Sequence, residues 1–422
     1  PGTPAAAATV LDGYPLAQKG KGVKAMKMAL YSSVFGDTFS DVMLIFAAGF
    51  LASIALNFGP PEYTLLTGFS LLCISSLTGN SVWKGLFSVF LGMIIGMIGL
   101  DPITATPRLT FEYLELEEGI GLIPMLIGTL AVSEALRQME QPVKKLASST
   151  LVFSKQKIDN VVTFLEFKST FPTIIKSSGL GTLIGAMPGL GSTIAAFLAY
   201  GEAKRSSKKP ENFGKGSLEG IAASESANNA VSGSNMIPLL AFGIPGDIAA
   251  ALIMGAFLIQ GITLGPVVFQ DNPVEIYAIF AALIVANLFN LFLGHGLIKM
   301  CKHVVTVPKR LLFPAVLVIA SAGAYALRGS LFDIQLVFCF GVLGYVMMKC
   351  DIPTVPMLIG FILIPIFEEN LRVTLLLGSS HDLNVAFIFT RPAFVILFLI
   401  MTLTSLFILK RRKLRKLENI NN

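Results

Sequence analysis

Residues 178–200 read SGLGTLIGAMPGLGSTIAAFLAY, an apolar run broken at its centre by Pro188, Gly189 and Gly191. Proline removes a backbone donor and glycine weakens a helix, so one helix stops near Met187 and another begins after the break. The flanking stretches, 137–176 and 204–215, are basic. Basic loops stay on the cytoplasmic side of a membrane, so the run enters and leaves from one face. This predicts a re-entrant hairpin with PGLGST at its tip, the alternative being two short interfacial helices joined by a turn. Irregular backbone at membrane depth needs protein or a wet cavity around it.

The rest of the chain fits a lipid setting. Of 422 residues, 54% are hydrophobic and 14% charged, against roughly 25% charged in a soluble domain. Mean hydropathy is +0.73. Simple spans are expected at 40–58, 62–80, 82–100, 119–136, 276–298, 311–328, 331–348, 353–374 and 388–409, each near the roughly 17–25 residues a crossing needs. Alternating them gathers every basic loop, and the run 410–416, on the cytoplasmic side; only Arg108, Arg328, Arg372 and Arg391 fall outside. The net charge of +6 is thereby an orientation signal. No basic patch interleaved with aromatics suggests nucleic acid. The four cysteines lack CxxC spacing, the three histidines form no HExxH pair, and no Walker A loop exists. These absences argue against zinc, ATP hydrolysis and an enzyme. Asp37 and Asp41 are placed to cap the span beginning near residue 40.

Residues 222–247, AASESANNAVSGSNMIPLLAFGIPGD, set Glu225, Asn228, Asn229, Ser232, Ser234 and Asn235 in an apolar context. So many polar groups must face protein or water. Asn228 and Ser232 share a helical face, with Glu225 one turn earlier. Their oxygens suit a hard cation, so Asn228, Asn229 and Ser232 are candidate sodium ligands; packing of small residues is the competing explanation. Pro245-Gly246 breaks the chain again, and Asp247 falls in the first turn of the next helix, where the dipole favours a carboxylate. Pro1-Gly2-Thr3-Pro4-Ala5-Ala6-Ala7 resembles Pro245-Gly246-Asp247-Ile248-Ala249-Ala250-Ala251. Duplicated transporters place broken helices in matching positions around one midplane site. The fold expected is therefore all-α and polytopic, with two homologous halves, broken helices and the re-entrant hairpin. Its parts are the remainder of an N-terminally truncated first half (1–136), a basic linker (137–177), a second half (178–410) and a basic tail (411–422).

The blocks GTLIGAMPGLGSTIAAFLAY (181–200), KKPENFGKGSLEGIAASESANNA (208–230) and IPLLAFGIPG (237–246) carry a resemblance, as do DGYPLAQKG (12–20), GLDPITATPRLTF (99–111) and GAYALRGSLFDI (323–334). Together they resemble the large membrane subunit of the tripartite tricarboxylate transporter family (TctA type). The resemblance implies a multi-pass protein of the bacterial inner membrane, its C-terminus cytoplasmic. It implies cation-coupled import of small di- and tricarboxylates, with a small four-helix membrane subunit and a periplasmic substrate-binding protein as partners. No cofactor is expected beyond sodium or a proton as coupling ion. In the stretch opened by Pro188, residues Gly189, Leu190, Gly191, Ser192 and Thr193 would offer backbone N–H groups to a carboxylate. Asn228, Asn229 and Ser232 would line the same cavity, with Pro245, Gly246 and the matching Gly2 and Thr3. Asp247 stands where the family usually has a small residue. A passive anion channel and a membrane-embedded enzyme are the alternative readings.

Overall fold

A computed structural model describes residues 5–77, 81–101, 104–140, 154, 156–187, 191–304, 309–380, 385–399 and 401–402. Pro188, Gly189, Leu190, Gly2, Thr3 and the tail 411–422 lie outside the described residues, as do parts of the 137–177 stretch and of the 388–409 span.

The fold is all-α. Its first part holds α1 (Ala6–Gln18), α2 (Gly22–Ala55), α3 (Pro60–Leu77) and α4 (Val82–Gly96). Then α5 (Leu122–Leu126) continues through a π-helical stretch, Ile127–Val132, into α6 (Ser133–Met139). The middle holds α7 (Phe164–Gly185), α8 (Gly191–Ser206), α9 (Leu218–Phe242), α10 (Ile248–Ile259) and the short α11 (Val268–Asp271). The last part holds α12 (Pro273–Val304), α13 (Lys309–Arg328), α14 (Leu331–Lys349) and α15 (Val355–Ser380). By length and composition α2, the Pro273–Ile298 part of α12, and α14 can each cross a membrane.

The strands present among the described residues form a two-stranded antiparallel ribbon between α4 and α5, pairing Gly99 with Arg108 and Leu100 with Pro107. It brings Arg108 to Glu368 of α15 at 2.7 Å and to Asp101 at 3.3 Å; Arg372 reaches Asp101 at 2.9 Å and also pairs with Glu368. Arg391 binds the fully buried Glu62 at 2.6 Å. Three of the four arginines placed outside by loop charge thus sit in partnered acidic settings.

Helix α9 is the hub. It lies against α1, α2, α7 and α8, and small residues let the backbones approach. A Cβ on Gly36 of α2 would fall on the Ser226 backbone, one on Gly181 on Ala227, and one on Gly185 on Val231 and Ser234. Elsewhere Gly92 and Gly96 of α4 let α15 close at Met357 and Phe361. This small-residue packing is how membrane helices associate where lipid competes for apolar contacts.

Two expectations need correction. The span expected at 40–58 belongs to a helix that begins at Gly22. Asp37 and Asp41 therefore lie inside α2 and cap nothing. The reason is that Tyr31, Ser32, Ser33, Asp37, Ser40 and Asp41 depress local hydropathy while facing protein; Ser32, Ser40 and Asp41 are buried. The basic stretch before the 178–200 run likewise carries the first half of α7, opened by Thr163 and Glu166 in a capping box, in which each satisfies a donor of the other's backbone.

Candidate functional site

Two helix breaks meet beside α9. The first lies between α7 and α8. Helix α7 closes with Ala186 N–H to Thr182 O at 3.0 Å and Met187 N–H to Ile184 O at 3.1 Å. Helix α8 opens at Gly191, whose φ of +66° lies where glycine carries no side-chain penalty. Gly191, Ser192 and Thr193 are half-buried at its N-terminus, where free amides and the helix dipole favour an anion.

The second break follows α9. Gly243 adopts the left-handed conformation and its N–H returns to Leu239 O at 2.9 Å, a C-terminal closure typical of glycine. Pro245 and Gly246 are buried. Asp247 then caps α10, accepting from Ala250 N–H at 3.0 Å. At Gly246 an added Cβ would lie 2.6 Å from Asn235 Oδ1 and 3.3 Å from the Gly185 carbonyl. The second break therefore touches both α9 and the end of α7, at a point where a side chain would press on Asn235 and the Gly185 carbonyl. Asn235 is 2% exposed and its Oδ1 has no hydrogen-bond partner, an arrangement that costs about 1–3 kcal/mol.

The polar face of α9 divides. Glu225 accepts from Thr9 Oγ1 at 2.6 Å and from Ser33 Oγ at 2.9 Å. Asn229 Nδ2 donates to Ser33 Oγ at 2.9 Å and to Glu225 O at 3.0 Å. Asn229 thus works in the α2–α9 seam. Asn228, half-buried, and Ser232, exposed, lie on the neighbouring face, with Ser232 in reach of Asp37. Further along α2, Asp41 accepts from Asn287 Nδ2 at 2.7 Å and packs on Gly233. The structure therefore separates Asn229 from Asn228 and Ser232, which the sequence grouped together. Asp37, Asp41 and Thr9 join this polar region without having been expected; the i, i+4, i+8 spacing of Ser33, Asp37 and Asp41 is the signal that could have found the two acids.

A separate anchor fixes where α9 starts. Asp12 of α1 is fully buried. Its Oδ1 accepts from the N–H groups of Gly214, Gly216 and Ser217 at 2.8, 2.9 and 2.8 Å, and its Oδ2 from Tyr200 O–H at 3.0 Å. Ser217 in turn caps α9 through Gly220 N–H at 3.2 Å. One carboxylate thus joins α1, α8 and the loop entering α9, and this is what the DGYPLAQKG and GKGSLEG blocks are doing in three dimensions.

A family model described as "Tripartite tricarboxylate transporter TctA family" matches residues 1–359. A protein of Agrobacterium vitis described as "Uncharacterized 52.8 kDa protein in TAR-I ttuC' 3'region" is 37% identical over 380 residues, covering 90% of this chain and 75% of that protein. A second from the same organism, "Uncharacterized protein in TAR-II ttuC' 3'region", is 41% identical over 200 residues, covering 47% of this chain and 83% of its own length. No solved structure matches.

Proposed function

The chain belongs to the tripartite tricarboxylate transporter TctA family, and from this we propose that it is the large transmembrane subunit of a binding-protein-dependent secondary transporter importing small di- and tricarboxylates on a cation gradient. It would sit in the bacterial inner membrane, its C-terminus cytoplasmic, beside a small four-helix subunit and below a periplasmic binding protein that delivers the anion.

The observation that carries this reading is the meeting of two helix breaks at Gly246 and Gly185. Broken helices turn their N-terminal amides toward anionic substrate groups and their C-terminal carbonyls toward cations. The start of α8 (Gly191, Ser192, Thr193) supplies amides for a substrate carboxylate, whereas the first-turn amides of α10, after Pro245 and Gly246, are held by the Asp247 cap. Asn228 and Ser232 offer neutral polar groups on the adjoining face of α9, and Asn229 positions Glu225 and Ser33. At the first break Gly191 has open space where a side chain would stand, so a ligand can approach the backbone there.

The test is uptake of labelled citrate, succinate and tartrate by the complete complex in proteoliposomes. Gly246→Ala places a methyl against Asn235 and Gly185 and is expected to abolish uptake while leaving the protein monodisperse in detergent. Undiminished uptake of all three by Gly246→Ala would overturn the assignment.

A further inference from the structure

A cavity of about 300 Å³ lies between the start of α5, the end of α10 and the start of α14. Leu122, Ile123 and Pro124 of α5, with Leu258 and Ile259 of α10, give it apolar walls. Gly255 keeps the two helices close, since a Cβ there would lie 2.8 Å from Leu122 Cδ2. Leu258 and Ile259 are exposed, and the adjoining α14 is long and apolar enough to cross a membrane. The rim of the cavity therefore faces lipid.

One charged group lines it. Asp333, in the first turn of α14, is 3% exposed, and its Oδ2 is buried with no hydrogen-bond partner. Its Oδ1 stands 3.8 Å from the point where a Cβ on Gly121 would sit. Among the described side chains no Lys or Arg pairs with this carboxylate. Ser330 already caps α14 by accepting from Phe332 N–H at 3.2 Å, so the acid is not needed there. The helix dipole favours its charge but supplies no hydrogen bond. A buried carboxylate in this state is costly until a donor reaches it.

The chemistry of the lining selects that donor. Asp333 repels an anion, so this is not a second place for a carboxylate substrate. A hard metal ion takes about six oxygens, and the other side chains of the lining carry none. A cation that brings its own N–H donors on an apolar body suits both the single carboxylate and the hydrocarbon walls. We propose that Asp333 and this cavity bind a primary ammonium group carried on an apolar body, as the headgroup of an aminophospholipid or as a free alkylamine. The site shares no residue with the two breaks and stands without the transport reading.

The test is native mass spectrometry of the full chain in detergent, offered phosphatidylethanolamine or phosphatidylcholine with the same acyl chains. The quaternary headgroup of the second keeps the charge and has no N–H. Wild type is expected to hold phosphatidylethanolamine about tenfold more tightly or better, and Asp333→Asn should abolish that preference. Ile259→Trp, at an exposed wall position, narrows the cavity with the carboxylate intact; it should reduce the preference too, and it decides the matter if Asp333→Asn fails to fold. Hexylamine separates the two sources. Displacement of the lipid by hexylamine assigns the site to ammonium groups at large, and lack of displacement assigns it to the lipid headgroup; both uphold the proposal. Equal retention of the two lipids by wild type, or an unchanged preference in either variant, would overturn it. So would a wild type without preference from which Asp333→Asn releases a co-purifying subunit, a result that gives the carboxylate to a partner's Lys or Arg.

Discussion

Replacing Asp12 by alanine should release the loop that leads into α9. The carboxylate is fully buried and satisfies three backbone N–H groups and the Tyr200 hydroxyl. Removing one partner from such a cluster costs about 3–5 kcal/mol, because the remaining groups stay buried and unpaired. The loop carries Lys208, Lys209 and Lys215, all exposed. When local opening is fast relative to cleavage, proteolysis follows the population of the open form. A change of about 3 kcal/mol corresponds to more than about a hundredfold in that population. Trypsin, which does not cut a Lys–Pro bond such as Lys209–Pro210, should therefore cut Asp12→Ala after Lys208 and Lys215 more than about a hundred times faster than wild type. Asp12→Asn keeps an oxygen for the three amides and loses the charge, so it should fall between the two. The assay is a time course of limited trypsinolysis in detergent with the sites read by mass spectrometry. Cleavage of Asp12→Ala within about threefold of wild type would refute the anchoring role.

Two further predictions concern stability. Gly36→Ala drives a methyl into the Ser226 backbone, 2.9 Å from its Cα, and should destabilise by about 1–3 kcal/mol, whereas Gly13→Ala, with open space around it in α1, should stabilise by about 0.5–1 kcal/mol; thermal melts of the two variants should move in opposite directions. The hydrogen bond from Lys176 to Glu202 at 2.8 Å, with Arg205 beside it, holds the Glu202 carboxyl below its usual range. A depressed acid contributes stability that is present above the ordinary carboxylate pKa and is lost as pH falls through the lowered one. Glu202→Gln should flatten that acid-side fall in melting temperature while changing the neutral-pH value little; an unchanged pH profile would count against the pairing.

The spans of α3, α4, α12, α14 and α15 were legible as apolar runs, and both breaks were legible because proline and glycine mark them directly. The front of α2 was not. Ser33, Asp37 and Asp41 turn toward protein, so a hydropathy reading takes a membrane-length helix for a polar approach and two interior acids for caps. The division of Asn229 from Asn228 also escaped, since adjacent residues differ by about 100° around a helix and only the position of Ser33 decides which of them is engaged. Asn235 was visible as one polar residue among several. Its isolation arises from the approach of Gly246 and Gly185, brought from separate segments, and no local pattern encodes that. Asp12 gives the same lesson: its three amide partners lie about two hundred residues away along the chain, and a helix with one aspartate looks ordinary without them.

The central claim is that paired breaks hold a carboxylate whose movement is driven by a cation. It is tested most directly by uptake of a labelled tricarboxylate into proteoliposomes bearing the complete complex, with an inward sodium or proton gradient imposed and then collapsed by an ionophore. The account predicts accumulation above the external concentration while one of these gradients stands, and release when it is dissipated. Equilibration without accumulation under either gradient would contradict it.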